Sequence, residues 1–232
     1  MLWADEPVVV DDSATPREMG ALWQNNVYPI GNGRLGATVF GEPARDRIQF
    51  NQDSLWVGNE DNTGAYQPFG DIYVEMGRDK HPSTQIPKYP RKSEIPKDLE
   101  DLESNPQVGH LEYTNYRREL DISRAVHTIT YESGGVRYKR EYFASYPGQI
   151  MVLRFSADSP GAVSGRVTLE NIHEIPVVVE DDTLVMAGNT SRFWYWRMIT
   201  EEEPDRLLAG REYTSDKIID LEFEARCRVL HE

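Results

Sequence analysis

Two amides, a carboxylate, a hydroxyl and an indole fall within six residues at Asn51-Gln52-Asp53-Ser54-Leu55-Trp56. That mixture suits a carbohydrate: an Asp beside an Asn can position sugar hydroxyls, and a Trp face can stack on a sugar ring. A purely local reading stands beside it, with Asp53 closing an Asx turn and Trp56 filling the core. Upstream, Gly31-Asn32-Gly33-Arg34-Leu35-Gly36 matches G-x-G-x-x-G, and Asp53 follows Gly33 by twenty residues, as in a dinucleotide fingerprint. Such a fingerprint must open a helix whose N-terminus meets the pyrophosphate. Here a β-patterned segment follows, so the glycines are read as permitting a tight turn into a strand. Phe193-Trp194-Tyr195-Trp196 is dense in aromatics. As a strand it would place both Trp residues on one face, as a sugar or interface platform or as core.

Other chemistries find no support. His81, His110, His127, His173 and His231 show no metal-ligand spacing, and no G-x-S-x-G is present. Cys227 is the only cysteine, which excludes an intrachain disulfide and a Cys-rich zinc site. No cofactor and no metal are expected. Carboxylates abound, but glycosidase pairs are defined by their separation in space. Asn189-Thr190-Ser191 is a glycosylation sequon, read here as a surface turn. The 232 residues carry a formal net charge of −14, which repels nucleic acid. With 10% aromatic residues the chain is not of disordered composition. No run of 18 apolar residues exists to cross a membrane as a helix. Met1-Leu2-Trp3-Ala4-Asp5-Glu6-Pro7 lacks the features of a signal peptide, so the compartment stays open. A periplasmic or secreted location follows only if a signal peptide has been removed.

The elements that must position these residues read mostly at period two. Leu35 to Phe40, Asp46 to Phe50, Asp71 to Met76, Tyr116 to Ile122 and Val126 to Tyr131 alternate in this way. So do Val136 to Ser145, Ile150 to Ser156 and Val163 to Glu170. Short spacing and turn residues between them predict a sandwich or barrel rather than βαβ units. Gly134-Gly135 predicts a type I′ hairpin, and Asp181-Asp182 a second hairpin joining Val177–Val179 to Leu184–Met186. Within Val126 to Tyr131, His127, Ile129 and Tyr131 share one face. The Pro-rich stretch 77–115 is read as a long surface insertion in which only Pro96 to Ser104 could form a short helix. A second break opens at Glu201-Glu202-Glu203-Pro204, with one helical turn expected from Arg206 to Gly210. Leu221 to Leu230 alternates up to the last residues, as expected at the cut edge of a longer protein. The fold class expected is all-β: a large antiparallel β-sandwich of two packed sheets with little helix.

Five ordered segments resemble family 95 glycoside hydrolases, the inverting α-L-fucosidase-like enzymes. Tyr28-Pro29-Ile30-Gly31-Asn32-Gly33-Arg34-Leu35-Gly36-Ala37 resembles their "lPiGNGrlGA", and Asn51 to Trp56 resembles "NEDTLW". Ala65-Tyr66-Gln67-Pro68-Phe69-Gly70-Asp71-Ile72-Tyr73 is similar to "sYQPlGDLyl". Tyr116 to Asp121 is similar to "YrReLdl", and Tyr138 to Ser145 to "ytREvFaS". Trp3 with Pro7 fits the family's opening more weakly. Two departures stand out: Gly58 and Ala65 are close together where relatives carry a helical insertion, and the Pro-rich stretch follows Met76.

The resemblance implies that residues 1–232 form one N-terminal β-super-sandwich domain. In the family an (α/α)₆ barrel follows, carrying the general acid and the Asn/Asp group that activates water. No position here corresponds to those residues, so no catalytic residue is assigned and the chain alone is expected to be inactive. The expected partners are the catalytic barrel of the same polypeptide and a carbohydrate substrate bearing terminal α-L-fucosyl or similar residues. Asn32, Arg34, Asn51, Asp53 and Trp56 are the candidates for the substrate cleft or domain junction. The alternative is a free-standing carbohydrate-binding or scaffolding β-sandwich without chemistry.

Overall fold

The computed structural model describes residues 1–8, 16–57, 65–76, 111–171, 173, 175–190 and 221–231. The aromatic run 193–196, the turn at 206–210 and most of the Pro-rich stretch lie outside these residues. Of that stretch 111–115 are described, and Thr114 and Asn115 already belong to a strand.

One short strand, β1 (Leu2–Ala4), precedes the helix α1 (Pro16–Asn26). Then follow β2 (Tyr28–Gly31), β3 (Leu35–Val39), β4 (Arg45–Gln52), β5 (Trp56–Val57), β6 (Ala65–Tyr66) and β7 (Gly70–Met76). After the Pro-rich stretch come β8 (Thr114–Asp121), β9 (Val126–Ser133), β10 (Val136–Ser145), β11 (Ile150–Ala157) and β12 (Gly165–Glu170). The last strands are β13 (Val177–Glu180), β14 (Thr183–Asn189) and β15 (Glu222–Arg228). Two five-stranded sheets have the orders β1-β8-β9-β10-β11 and β12-β7-β4-β3-β2. A third sheet, β13-β14-β15, and the β5-β6 ribbon complete the described sheets, and every pairing is antiparallel. The all-β expectation holds, with a third sheet added to the two foreseen.

Alternation decides what each strand buries. In β9 the His127, Ile129 and Tyr131 side chains are fully covered while their neighbours are half-buried, as the period-two reading requires. In β4 the buried set is Asp46, Ile48 and Phe50. The core between the large sheets continues through Ile30, Val39, Ile72, Tyr116 and Tyr142, and Met186 and Phe223 bring the third sheet into it. The β9–β10 hairpin has φ of 58° at Gly134 and 78° at Gly135, the positive values a type I′ turn demands. Asp181 carries the positive φ, 52°, of the β13–β14 turn.

Polar atoms also join the two large sheets. Arg140 on β10 donates from Nη1 to Asp46 Oδ2 on β4 at 3.3 Å and to Glu42 O at 2.9 Å. Its Nη2 donates to Pro43 O at 2.5 Å and to Tyr131 Oη at 2.8 Å. Tyr142 Oη donates to the same Asp46 Oδ2, and Gly41 N to Asp46 Oδ1 at 2.8 Å. Tyr116 Oη donates to Gly41 O at 2.8 Å. Gly41 has a φ of 84°, which favours glycine, and a Cβ there would also sit 2.8 Å from both Tyr116 Oη and Ile129 Cδ1 of the opposite sheet.

The helix α1 has no counterpart in the sequence reading. Its short polar segment shows no sustained apolar stripe, so tertiary ties hold it. Trp23 Nε1 donates to Thr38 Oγ1 at 3.2 Å, and the buried Arg118 donates to Asn26 O at 2.6 Å, satisfying a carbonyl at the helix end.

Candidate functional site

The β2–β3 turn and the turn leaving β4 lie side by side at one end of the second sheet. Gly36 pairs with Asn51 and Leu35 with Gln52, and Asp53 N donates to Arg34 O at 2.9 Å. Four of the five sequence candidates (Asn32, Arg34, Asn51 and Asp53) are thereby brought together by strand pairing. Trp56 follows two residues after Ser54, its N–H bonded to Ser54 O at 2.8 Å.

The five do not play equal parts. Asn32 Oδ1 accepts from Arg34 N at 3.0 Å and Leu35 N at 2.7 Å, closing the turn. Its Nδ2 donates to Ser145 O at 2.9 Å at the end of β10, which ties the turn to the opposite sheet. Asn32 is thus committed to the scaffold. Asn51 Oδ1 is bound by Gln52 N at 2.8 Å. Arg34 and Asp53 are exposed.

Both halves of the local alternative are overturned. Asp53 accepts no backbone N–H among the described residues; its Oδ1 takes Gln52 Nε2 at 2.7 Å. Gln52 caps the turn instead, its Oε1 accepting from Ser54 N at 2.9 Å and Ser54 Oγ at 2.7 Å. Nor does Trp56 fill the core: Leu55 is 3% exposed and does so, while Trp56 is 39% exposed. The alternation of a strand explains the exchange, since neighbouring side chains take opposite faces.

Sequence reasoning missed Tyr66. It pairs with Trp56 across the β5–β6 ribbon, and the rings meet edge to face with centroids 4.6 Å apart at 85°. Tyr66 is 57% exposed. Its place in the Ala65 to Tyr73 segment was the available signal. The ribbon is anchored by Gln67 N donating to Leu55 O at 2.9 Å.

Other titratable groups are placed differently. The Asp46–Arg140 pair is sealed from water, with side chains 0% and 1% exposed, so no substrate reaches it. Burial raises the Asp46 carboxyl above its ordinary range, against the pull of Arg140 and Tyr142. His127 is pushed down to about 3 by burial and by the Arg118 charge. On the outer face of the second sheet Arg47 grips Asp71 with two bonds of 3.0 Å, and Arg45 Nε lies 3.4 Å from Glu75. There burial pushes Glu170 up to about 7, with Arg45 opposing and Asp71 adding to the rise. Among the described residues no cluster of His, Cys, Asp and Glu could hold a metal ion. No helix among them is long and apolar enough to cross a membrane. What the exposed end offers chemically is binding: hydrogen-bonding side chains beside two aromatic rings.

Comparison with known proteins gives this arrangement a context. The family described as Glycosyl hydrolase family 65, N-terminal domain, matches residues 9–229. Alpha-L-fucosidase 2 of Arabidopsis thaliana is 32% identical over 154 residues, which is 63% of this chain and 18% of that protein. A probable alpha-fucosidase A of Aspergillus oryzae is 27% identical over 227 residues, 89% of this chain and 29% of that protein. The Aspergillus niger protein of the same name is 28% identical over 172 residues, covering 68% and 20%. The chain spans less than a third of the length of these curated relatives.

Proposed function

Because the chain belongs to the glycosyl hydrolase family 65 N-terminal domain family, we propose that it is the non-catalytic N-terminal domain of an α-L-fucosidase-like glycoside hydrolase. The observation that carries the reading is the fucosidase similarity, which extends over 89% of this chain yet takes up only 29% of the longer relative. The five sequence motifs support the finer assignment to a family 95-like enzyme. In that reading a helical barrel of the same polypeptide supplies the chemistry. One carboxyl protonates the leaving oxygen, and a second polar group activates water on the opposite face of the sugar, with inversion. This domain packs on the barrel, and its end bearing Arg34, Asn51, Asp53 and Trp56 shapes one edge of the cleft. The exposure of Arg34 and Asp53, and the absence among the described residues of any backbone bond to the Asp53 carboxylate, favour that role over a local one.

Asp53→Ala tests it. In the longer enzyme the substitution is expected to lower kcat/KM on an aryl α-L-fucoside at least tenfold, about 1.4 kcal/mol of transition-state binding. The melting temperature of the 232-residue chain should stay nearly unchanged. Normal kinetics in the longer enzyme would remove Asp53 from the cleft.

A further inference from the structure

We propose that β11, the free edge of the first large sheet, is a pairing surface for a second copy of this chain. The proposal is independent of the fucosidase reading. An edge strand offers a row of unpaired N–H and C=O groups, and stable proteins blunt such edges with charge, proline or shortness. The other edge strands of the large and third sheets are blunted in these ways. β1 has three residues and β13 four, β2 carries Pro29, β12 carries Arg166 and Glu170, and β15 alternates Glu222, Glu224, Arg226 and Arg228. β11 is not blunted. Ile150-Met151-Val152-Leu153-Arg154-Phe155-Ser156-Ala157 is eight residues long, with Arg154 as its one charge and no proline or glycine. It lies against β10 in unbroken register, from the Tyr138–Ala157 pair to the Ser145–Ile150 pair. Among the described residues nothing pairs with its other side.

The edge is complementary to itself. Asp158 N donates to Arg137 O at 3.1 Å, which makes Arg137 and Asp158 a hydrogen-bonded pair. Alternation along the ladder then turns the N–H and C=O groups of Met151, Leu153 and Phe155 away from β10. Their side chains lie on the core side of the sheet and are partly buried. A two-fold axis through Leu153, perpendicular to the sheet, lets these residues exchange bonds: Leu153 with its counterpart, and Met151 with Phe155 of the copy. The core-side row is then apolar throughout, so each copy covers what the other leaves half-exposed. On the outer side the same register sets Val152 opposite Arg154 of the copy. Moving the axis one residue along, to Arg154, would set that arginine opposite its twin, and like charges oppose such a pairing. Arg154 is already compensated by Glu141 on β10, 3.5 Å away. Because β11 is the unblunted edge, the pairing closes at two copies and leaves no second edge to propagate into a fibre. The net charge of −14 opposes association at long range, so the dimer should tighten as salt rises.

The test is sedimentation equilibrium of the 232-residue chain over a range of concentrations. A reversible monomer–dimer equilibrium is expected, with a Kd of about 1–100 μM. Val152→Lys sets a cation against Arg154 of the copy and should weaken the dimer at least tenfold. Val152→Glu, polar at the same place, sets an anion there and should keep or tighten it; melting curves establish that both variants are folded. Amide exchange at Met151, Leu153 and Phe155 should be slow in the dimer and fast in the diluted monomer. A chain that stays monomeric at about 1 mM, species larger than a dimer, or equal effects of the two substitutions would each overturn the proposal. So would amides that stay protected in the monomer, because another part of the chain would then cover the edge.

Discussion

Arg140 and Asp46 show how a charged side chain can be essential without being catalytic. Four of the groups that Arg140 contacts lie on β4, the loop before it or β9, and the carboxylate it faces is fully buried. Removing one partner of a buried ion pair strands the other, typically at about 3–5 kcal/mol, whereas an apolar replacement of both is often near neutral. Arg140→Met is therefore expected to destabilise the chain by at least about 3 kcal/mol in urea unfolding, and adding Asp46→Leu should recover part of the loss. A loss in the double variant equal to the sum of the losses in Arg140→Met and Asp46→Leu alone would show the two residues to be uncoupled. His127 gives the residue scale its pH dependence. It lies between Tyr28 at 5.2 Å and Tyr142 at 5.5 Å, beside Arg118, and neither ring nitrogen has a hydrogen-bond partner among the described residues. With a folded value of about 3 against 6.5, the unfolded chain binds the extra proton between these limits. Stability from this group is whole above pH 6.5 and falls as the pH drops toward 3, by up to about 1.4 kcal/mol per unit. His127→Phe should flatten the acid side of a stability–pH curve by up to one proton; an unchanged slope would rule His127 out as its source.

Strands were legible where their neighbours are close in sequence. Val136 to Ser145 is reproduced residue for residue by β10, and the glycine pair before it makes the expected turn. Such hairpins are written in alternation and in residues that accept positive φ. The candidate site was half legible: Asn32, Arg34, Asn51 and Asp53 do converge, because β3 and β4 are themselves a hairpin. What stayed hidden depends on distant partners. Nothing near Leu55 and Trp56 says which of the two faces the core, since that depends on the strand that covers them. The same holds for α1, which is held by Thr38 and Arg118 rather than by its own pattern. Charges facing each other across strands were equally invisible, and β12 makes this testable. Glu170 lies opposite Asp71 on β7 and is held near 7, above its ordinary 4.5. The folded chain then binds more protons than the unfolded one between pH 4.5 and 7, so stability is lost as the pH rises through that window. Glu170→Gln should raise the melting temperature at pH 8 and leave it nearly unchanged at pH 4.5. The gain should be about 1 kcal/mol, since water screens this partly exposed carboxylate. No difference between the two pH values would mean that Glu170 ionises without penalty.

At the scale of the whole molecule, the residues proposed for the cleft edge sit at one end of the second sheet. Three sheets share one core, and the sealed polar network is out of reach of any substrate. The 232-residue chain is accordingly expected to show no hydrolysis of an aryl α-L-fucoside above a mock preparation. Clear turnover by the purified chain would place the catalytic groups within it. The polar network also bears on how the chain finds its fold. Arg140 and Asp46 are 94 residues apart in sequence, so their contact is a long-range one that joins β10 of one large sheet to β4 of the other. Slipping β10 by one residue against β9 would turn Arg140 outward and bring Lys139 or Glu141 inward to face Asp46. The donors to Glu42 O, Pro43 O and Tyr131 would be lost in the same step. A one-residue slip already exposes the apolar face of the strand, and the stranded Asp46 carboxylate adds the cost of an unpaired buried charge, so the buried arginine proofreads the alignment of the sheet.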